Sequence, residues 1–232
     1  MACVGLVLFA VTWKLWTPQT EFPQIPFFRW LIFAPGWIDW IACVGVVLGL
    51  LVMLGSERWS KRATVLFLSA LVVLVLLNQH RLQPWAYLMI LFSVLVIGLE
   101  EKIVLRWFRW IVISIYFYSA VSKLDYQFSH TVGREMVHAI GWFFGVNAEV
   151  WSSDVVPTLA LSLPVAELLV ALVLTWPRSR VVGGWLAIGL HLGLLLVLGP
   201  FGLNHLPGVL VWNMLFIGQA WFLFVVSDST DD

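Results

Sequence analysis

The chain has 232 residues, of which 61% are hydrophobic and only 11% charged, with a mean hydropathy of +0.95. A water-soluble domain carries roughly 45–50% apolar and about 25% charged residues, and one domain of this length could not hide so much apolar surface in a single core. Lys plus Arg balance Asp plus Glu at 13 each, with no basic stripe, so nucleic acid is excluded as an expected partner. What remains is an all-α, polytopic integral membrane helical bundle, read as a single transmembrane domain over 1–232 with the lipid bilayer as its first partner.

Apolar runs bounded by charged or Pro/Gly-rich breaks predict about eight spans. They lie at 2–16, 37–55, 63–78, 84–100, 107–123, 156–176, 181–199 and 205–226. The N-terminus has neither a positive leader region nor a small-residue cleavage site, so 2–16 reads as a retained first span. Residues 17–36 hold Pro18, Pro23, Pro26 and Pro35 and read as an irregular interfacial connection. Trp37, Trp40, Trp59, Trp85, Trp107 and Trp110 flank the runs, as headgroup-level rings do. Cys3 and Cys43 form no C-x-x-C motif, fall at different depths, and read as small apolar residues. Over 124–155, Phe128, Val132, Met136 and Ile140 recur at helical spacing with Arg134, Glu135 and His138 elsewhere. That pattern predicts an amphipathic helix lying in the outer interface.

Eight of the 13 Lys and Arg fall in connections that share a side with the N-terminus, among them Arg58, Lys61 and Arg62. The asymmetry puts both termini in the cytoplasm, with a bacterial inner membrane as the setting, and segments 78–85, 123–125 and 203–207 outside.

An ionisable or strongly polar group in or beside a span is costly, so each is a candidate for function. Asn78-Gln79-His80-Arg81-Leu82-Gln83-Pro84-Trp85 packs several hydrogen-bonding side chains into one tight connection. His80 can exchange a proton near neutral pH; the segment reads equally as a solvated turn with a snorkelling Arg81. Lys123 closes the fifth span, where withdrawal from water favours the neutral amine and makes it a usable base; a snorkelling lysine is the plain alternative. Glu167 and His191 sit inside the sixth and seventh spans, each roughly 15 Å from the end of its span at 1.5 Å per residue. They are expected to meet as a hydrogen-bonded pair, either a relay or polar glue. Gly189 and Gly193 flank His191 as a small-xxx-small pair inviting a neighbouring helix. Asn213 carries the same ambiguity. His205 lies near the outer end of the eighth span, while His130 and His138 read as interfacial. Aromatic residues such as Trp85 and Tyr118 are expected to line a shared cavity between His80 and Lys123. No metal-binding spacing, phosphate loop or nucleophile elbow is present in the sequence.

The segment YFYSAVSKLDYQFSHTVGREM resembles the Y-F-x-A-G-x-x-K-L-D segment of vitamin K-dependent gamma-carboxylases and of their bacterial relatives, the horizontally transferred transmembrane domain proteins. NQHRLQPWAYL resembles their Asn-Asn-His segment, and PVAELLVALVL and GLHLGLLLVLG resemble their later spans. The A-x-x-K-L and E-L-L pattern is shared more weakly with DoxX- and MauE-type membrane proteins. The resemblance implies a quinol site with Lys123 as base and His80 as its partner. Asn78, Arg81, Asp125, Glu167, His191 and Asn213 would support it, and Trp85 and Tyr118 would lie against a quinone-like molecule. Ser119 and Ala120 replace the Ala-Gly pair of the motif. The chain ends at Asp232 soon after the last span, with no counterpart of the carboxylases' extramembrane domain, so glutamate carboxylation is not expected. Two other functions fit the sequence. One is a non-catalytic DoxX/MauE-type accessory supporting a periplasmic redox enzyme; the other is a structural or lipid-binding membrane protein.

Overall fold

The computed structural model describes residues 2–18, 23–146, 150–152 and 154–226, and is all-helical among them, without strands. These described residues form α1 (Ala2–Val11), α2 (Trp13–Trp16), α3 (Trp37–Gly55), α4 (Ser60–Leu77), α5 (Pro84–Gly98), α6 (Glu101–Val121), α7 (Tyr126–His130), α8 (Val132–Phe143), α9 (Val155–Thr175), α10 (Arg180–Leu198) and α11 (Pro207–Ala220). Helix α11 continues as a π-helical turn over Trp221–Val226. Long runs of Leu, Val, Ala and Ile propagate helix, and Pro84 and Pro207 occupy first turns, where a missing N–H costs nothing.

Among the described residues, six stretches are long and apolar enough to cross a membrane: Trp37–Gly55, Ser60–Leu77, Glu101–Val121, Val155–Thr175, Pro177–Leu198 and Pro207–Val226. Each leaves well over half of its apolar window unburied, with side chains such as Ile41, Leu172 and Leu196 facing outward. A hydrocarbon surround accounts for such faces. Two expected spans are shorter. The run 2–16 breaks at Thr12, whose hydroxyl donates to Leu8 O (2.6 Å) and accepts from Trp16 Nε1 (2.9 Å). The run 84–100 ends as helix at Gly98.

The chain divides into two compact units, Met1–Val104 and Leu105–Asp232. In the first, α3 packs along α4, α4 against α5, and α1 against α3. The α3–α4 approach is close because it runs over Gly45 and Gly49. A Cβ on Gly49 would stand 2.8 Å from Phe67 Cβ and 2.9 Å from Phe67 N, and one on Gly45 would stand 3.0 Å from Ala70 Cβ. This is a G-x-x-x-G contact, with backbones meeting where side chains are absent.

Two side chains of the Asn78–Trp85 connection, Arg81 and Trp85, enter the core of the first unit. Arg81 is 1% exposed, not snorkelling. Its Nη1 makes an ion pair with Asp39 and donates to Leu74 O (3.2 Å), and its Nε donates to Leu15 O (3.0 Å). Asn78 caps the following turn by accepting from His80 N (3.2 Å), and Gln79 Nε2 donates to Pro26 O (3.2 Å). Trp85 is buried edge-on against Trp16. The polar side chains of this connection therefore mostly stitch backbone together.

In the second unit, α10 packs against α9, α11 and the π-helical turn, and α7 and α8 pack against α9. The expected amphipathic helix of 124–155 is two helices, α7 and α8, parted at Thr131 (φ −119°, ψ −104°); 147–149 and 153 lie outside the described residues. Asp125 caps α7 by accepting from Phe128 N (2.6 Å). Gly133 lets α8 start directly against α9, since a Cβ there would stand 3.0 Å from Ala160 Cβ. After α10, Leu203 N donates to Val197 O (2.8 Å) and His205 N to Leu198 O (2.9 Å), folding the connection back over the helix end. Asn204 takes the left-handed conformation this requires (φ +50°).

Candidate functional site

The second unit contains a cavity of about 710 Å³ walled by α6–α11. Most of its wall is apolar. The Phe128, Val132, Met136 and Ile140 stripe, expected on a helix lying in the membrane interface, lines this cavity. Leu163 from α9, Leu194 and Val197 from α10, and Trp212 and Phe216 from α11 continue the wall. His205 lines it from the connection before α11.

One polar cluster interrupts this wall, and α6 supplies half of it. Tyr116 and Ser119 stand three residues apart on one face of α6, and Lys123 follows in the turn just beyond the helix end, four residues after Ser119. Lys123 Nζ donates to Glu167 Oε1 (2.6 Å), Glu167 Oε2 (2.8 Å) and Ser119 Oγ (2.8 Å), and Ser119 Oγ donates to Glu167 Oε2 (2.9 Å). The lysine side chain is 33% exposed and the glutamate 10%. The expected Glu167–His191 hydrogen bond is not among those of the described residues; Glu167 takes Lys123 and Ser119 as partners instead.

His191 belongs to a second chain of bonds. Asn213 Nδ2 donates to Val209 O (2.8 Å), a carbonyl that can only accept, and this orients the amide. Asn213 Oδ1 therefore receives the Nδ1–H of His191 (2.8 Å). In the neutral imidazole, Nε2 then carries a lone pair and accepts from Tyr116 O–H (2.7 Å). Phe216 stacks on the imidazole at 4.9 Å between ring centres and meets Tyr116 edge-on at 5.6 Å.

Lys123 spends all three hydrogens, Ser119 its one and Tyr116 its one inside the cluster. Lone pairs stay open on Tyr116 Oη and Glu167 Oε1. Lys123 and Glu167 cancel in charge, so this face offers a ligand hydrogen-bond acceptors and no net charge.

The other residues singled out in the sequence lie elsewhere. Asn78, His80, Arg81 and Trp85 belong to the first unit, where the His80 ring is exposed. Tyr118 is 69% exposed beside Phe117 and is absent from the cavity lining. Helix phase explains this: Tyr118 is two residues beyond Tyr116, about 200° around the helix. Tyr116 is seven residues from Lys123 and lines the cavity with it, a periodicity that would have singled it out. His130 stacks on Tyr126 at 3.8 Å, and Arg134 donates to His138 (3.4 Å). Among the described residues no group of three or more His, Cys, Asp or Glu is placed to hold a metal ion.

Gly189 and Gly193 also depart from expectation. A Cβ on either would meet nothing within 4 Å, and both line the cavity. The close contacts of α10 fall at Gly183, against Leu174, and at Gly184, against Phe224 and Val225.

No protein-family model, no curated protein and no solved structure matches the chain. Fold and site together define a multi-pass helical membrane protein with an apolar cavity and one charge-balanced polar cluster in its second unit.

Proposed function

We propose that this protein binds a reduced quinone or a similar ring-headed, lipid-soluble molecule in the cavity of its second unit and accepts a proton from it there. The supporting observation is the polar cluster: acceptor lone pairs on Tyr116 Oη and Glu167 Oε1, set in a wall that is apolar apart from the cluster and His205. A hydroquinone hydroxyl is a donor on a neutral, largely apolar body, which suits both features. The volume lies within the ~300–1,000 Å³ usual for small-molecule sites.

Docked on this face, a ligand hydroxyl gives its proton to the Glu167 carboxylate, leaving a ligand oxyanion held beside the Lys123 ammonium. Lys123 is itself a base only after handing a proton to Glu167 along the 2.6 Å contact. Lys123 and Glu167 thus act as one unit, with Ser119 holding both. Tyr116, His191 and Asn213 are positioning residues behind it. This reading keeps the Lys123 role implied by the resemblance to gamma-carboxylase membrane domains and gives the partner role to Glu167 in place of His80. It includes about eight spans, with α1 and α5 as the short ones, α7 and α8 at the outer interface, and both termini cytoplasmic in a bacterial inner membrane.

The test is equilibrium binding of decylubiquinol to the full chain in lipid nanodiscs. Saturable binding by the wild type, weakened at least tenfold by Lys123→Met and by Tyr116→Phe, is expected. A wild type that binds no reduced quinone refutes the reading. Undiminished binding by both variants places the ligand elsewhere. Co-purification with a periplasmic enzyme, together with indifference to Lys123→Met, is the result the accessory function requires.

A further inference from the structure

The cavity is bounded by two sides of α10. His191 and Leu198 line it from the inward side, while Gly189, Gly193 and Leu196, all exposed, line it from the outward flank. A space bounded by both flanks of one helix opens to the outside past that helix. The opening lies within Pro177–Leu198, a stretch long and apolar enough to cross a membrane, with Gly189 near its middle. At that depth the surroundings are acyl chains rather than water. Two interior glycines weaken a helix, and at these positions no neighbouring backbone approaches to offset the loss, since a Cβ on either would meet nothing within 4 Å. Their effect is to keep the flank flat.

We propose that the ligand is a single-chain amphiphile. Its head rests on the Tyr116–Glu167 face, and its apolar chain leaves the cavity laterally across Gly189 and Gly193. The inference rests on reading the cavity as a ligand site, but it does not require the head to be a quinone. Leucine at the two positions would raise side chains into the exit, whereas alanine would add one methyl to open space.

Wild type, G189L/G193L, the single variant G193L and the G189A/G193A control are compared as full chains in nanodiscs. The probes are decylubiquinol, monoolein (one long chain on an uncharged glycerol head) and ubiquinol-0, the same reduced ring without a chain. The leucine pair is expected to weaken decylubiquinol and monoolein at least tenfold while holding ubiquinol-0 within about twofold. G193L should show the same ordering with a smaller loss, and the alanine pair should match the wild type. Unfolding midpoints equal to the wild type establish that the variants fold, and G193L decides if the pair does not. Unchanged binding of both chain-bearing probes overturns the proposal. So does an equal loss of ubiquinol-0, or a wild type that binds neither chain-bearing probe. A wild type that binds monoolein but not decylubiquinol ends the quinone reading while the chain exit stands or falls on the leucine variants.

Discussion

Removing the Arg81 guanidinium would strand the buried Asp39 carboxylate together with the carbonyls of Leu15 and Leu74. Breaking one side of a buried ion pair costs about 3–5 kcal/mol. Arg81→Met is therefore expected to lose that much in detergent unfolding, with Arg81→Lys recovering only part, since an ammonium cannot reproduce the fork. The Lys123–Glu167 pair is more open, and the second of two substitutions there should act against the first. Lys123→Met leaves Glu167 held only by Ser119 and is expected to cost about 1–3 kcal/mol. Adding Glu167→Leu removes the stranded carboxylate and should restore part of the loss. A double variant less stable than the single one would show that the carboxylate has other support. Both residues stood out in the sequence because an ionisable group in an apolar run is expensive, but their pairing did not. Choosing between Lys123 and His191 as the partner of Glu167 depends on how far α6 turns toward α9, and no residue type encodes that.

At the level of elements, two G-x-x-x-G pairs look alike in the sequence and do opposite things. Gly45 and Gly49 admit α4 against α3, whereas Gly189 and Gly193 face open space. Gly49→Ala is expected to destabilise by about 1–3 kcal/mol, because a Cβ meets Phe67 backbone that cannot move aside. Gly133→Ala should do likewise by forcing α8 away from Phe128 O and Ala160. Gly193→Ala should instead be neutral or gain up to about 1 kcal/mol of helix propensity. Thermal unfolding of the three variants side by side checks the ordering; a destabilised Gly193→Ala would mean that something packs on that flank. The α7–α8 stripe carries the same lesson. Spacing at i, i+4 and i+8 says that one face is apolar, and it is silent on whether lipid or an internal cavity lies against that face.

Over the whole molecule, the helical bundle and its long apolar stretches were legible because hydrocarbon leaves the backbone few other options. Lengths were less so. Thr12 interrupts the first run by bonding its own helix, and the fourth stops at Gly98. The site was legible in its charged members, Lys123 and Glu167, and in His191 and Asn213, and illegible in Tyr116 and Ser119, which are ordinary residues made special by lining the cavity with Lys123. Orientation rests on the Lys/Arg asymmetry alone, and single-cysteine labelling in a Cys3→Ser/Cys43→Ala background tests it. Gln83→Cys should react with a membrane-impermeant maleimide in intact cells, and Ser60→Cys only after permeabilisation. The reverse pattern would invert the protein in the membrane.

The bonds from Tyr116 through His191 and Asn213 to Val209 all run in one direction. Such a chain can be pushed from the Tyr116 end: a proton arriving there can settle on His191. It can travel no further, because the last acceptor is a peptide carbonyl engaged in a helix. The chain is a cul-de-sac: a proton taken up there can leave only by the way it came, through Tyr116. Under the proposed function, a proton released in the cavity would therefore leave by the other branch, past Lys123, whose side chain is one-third open to the surroundings.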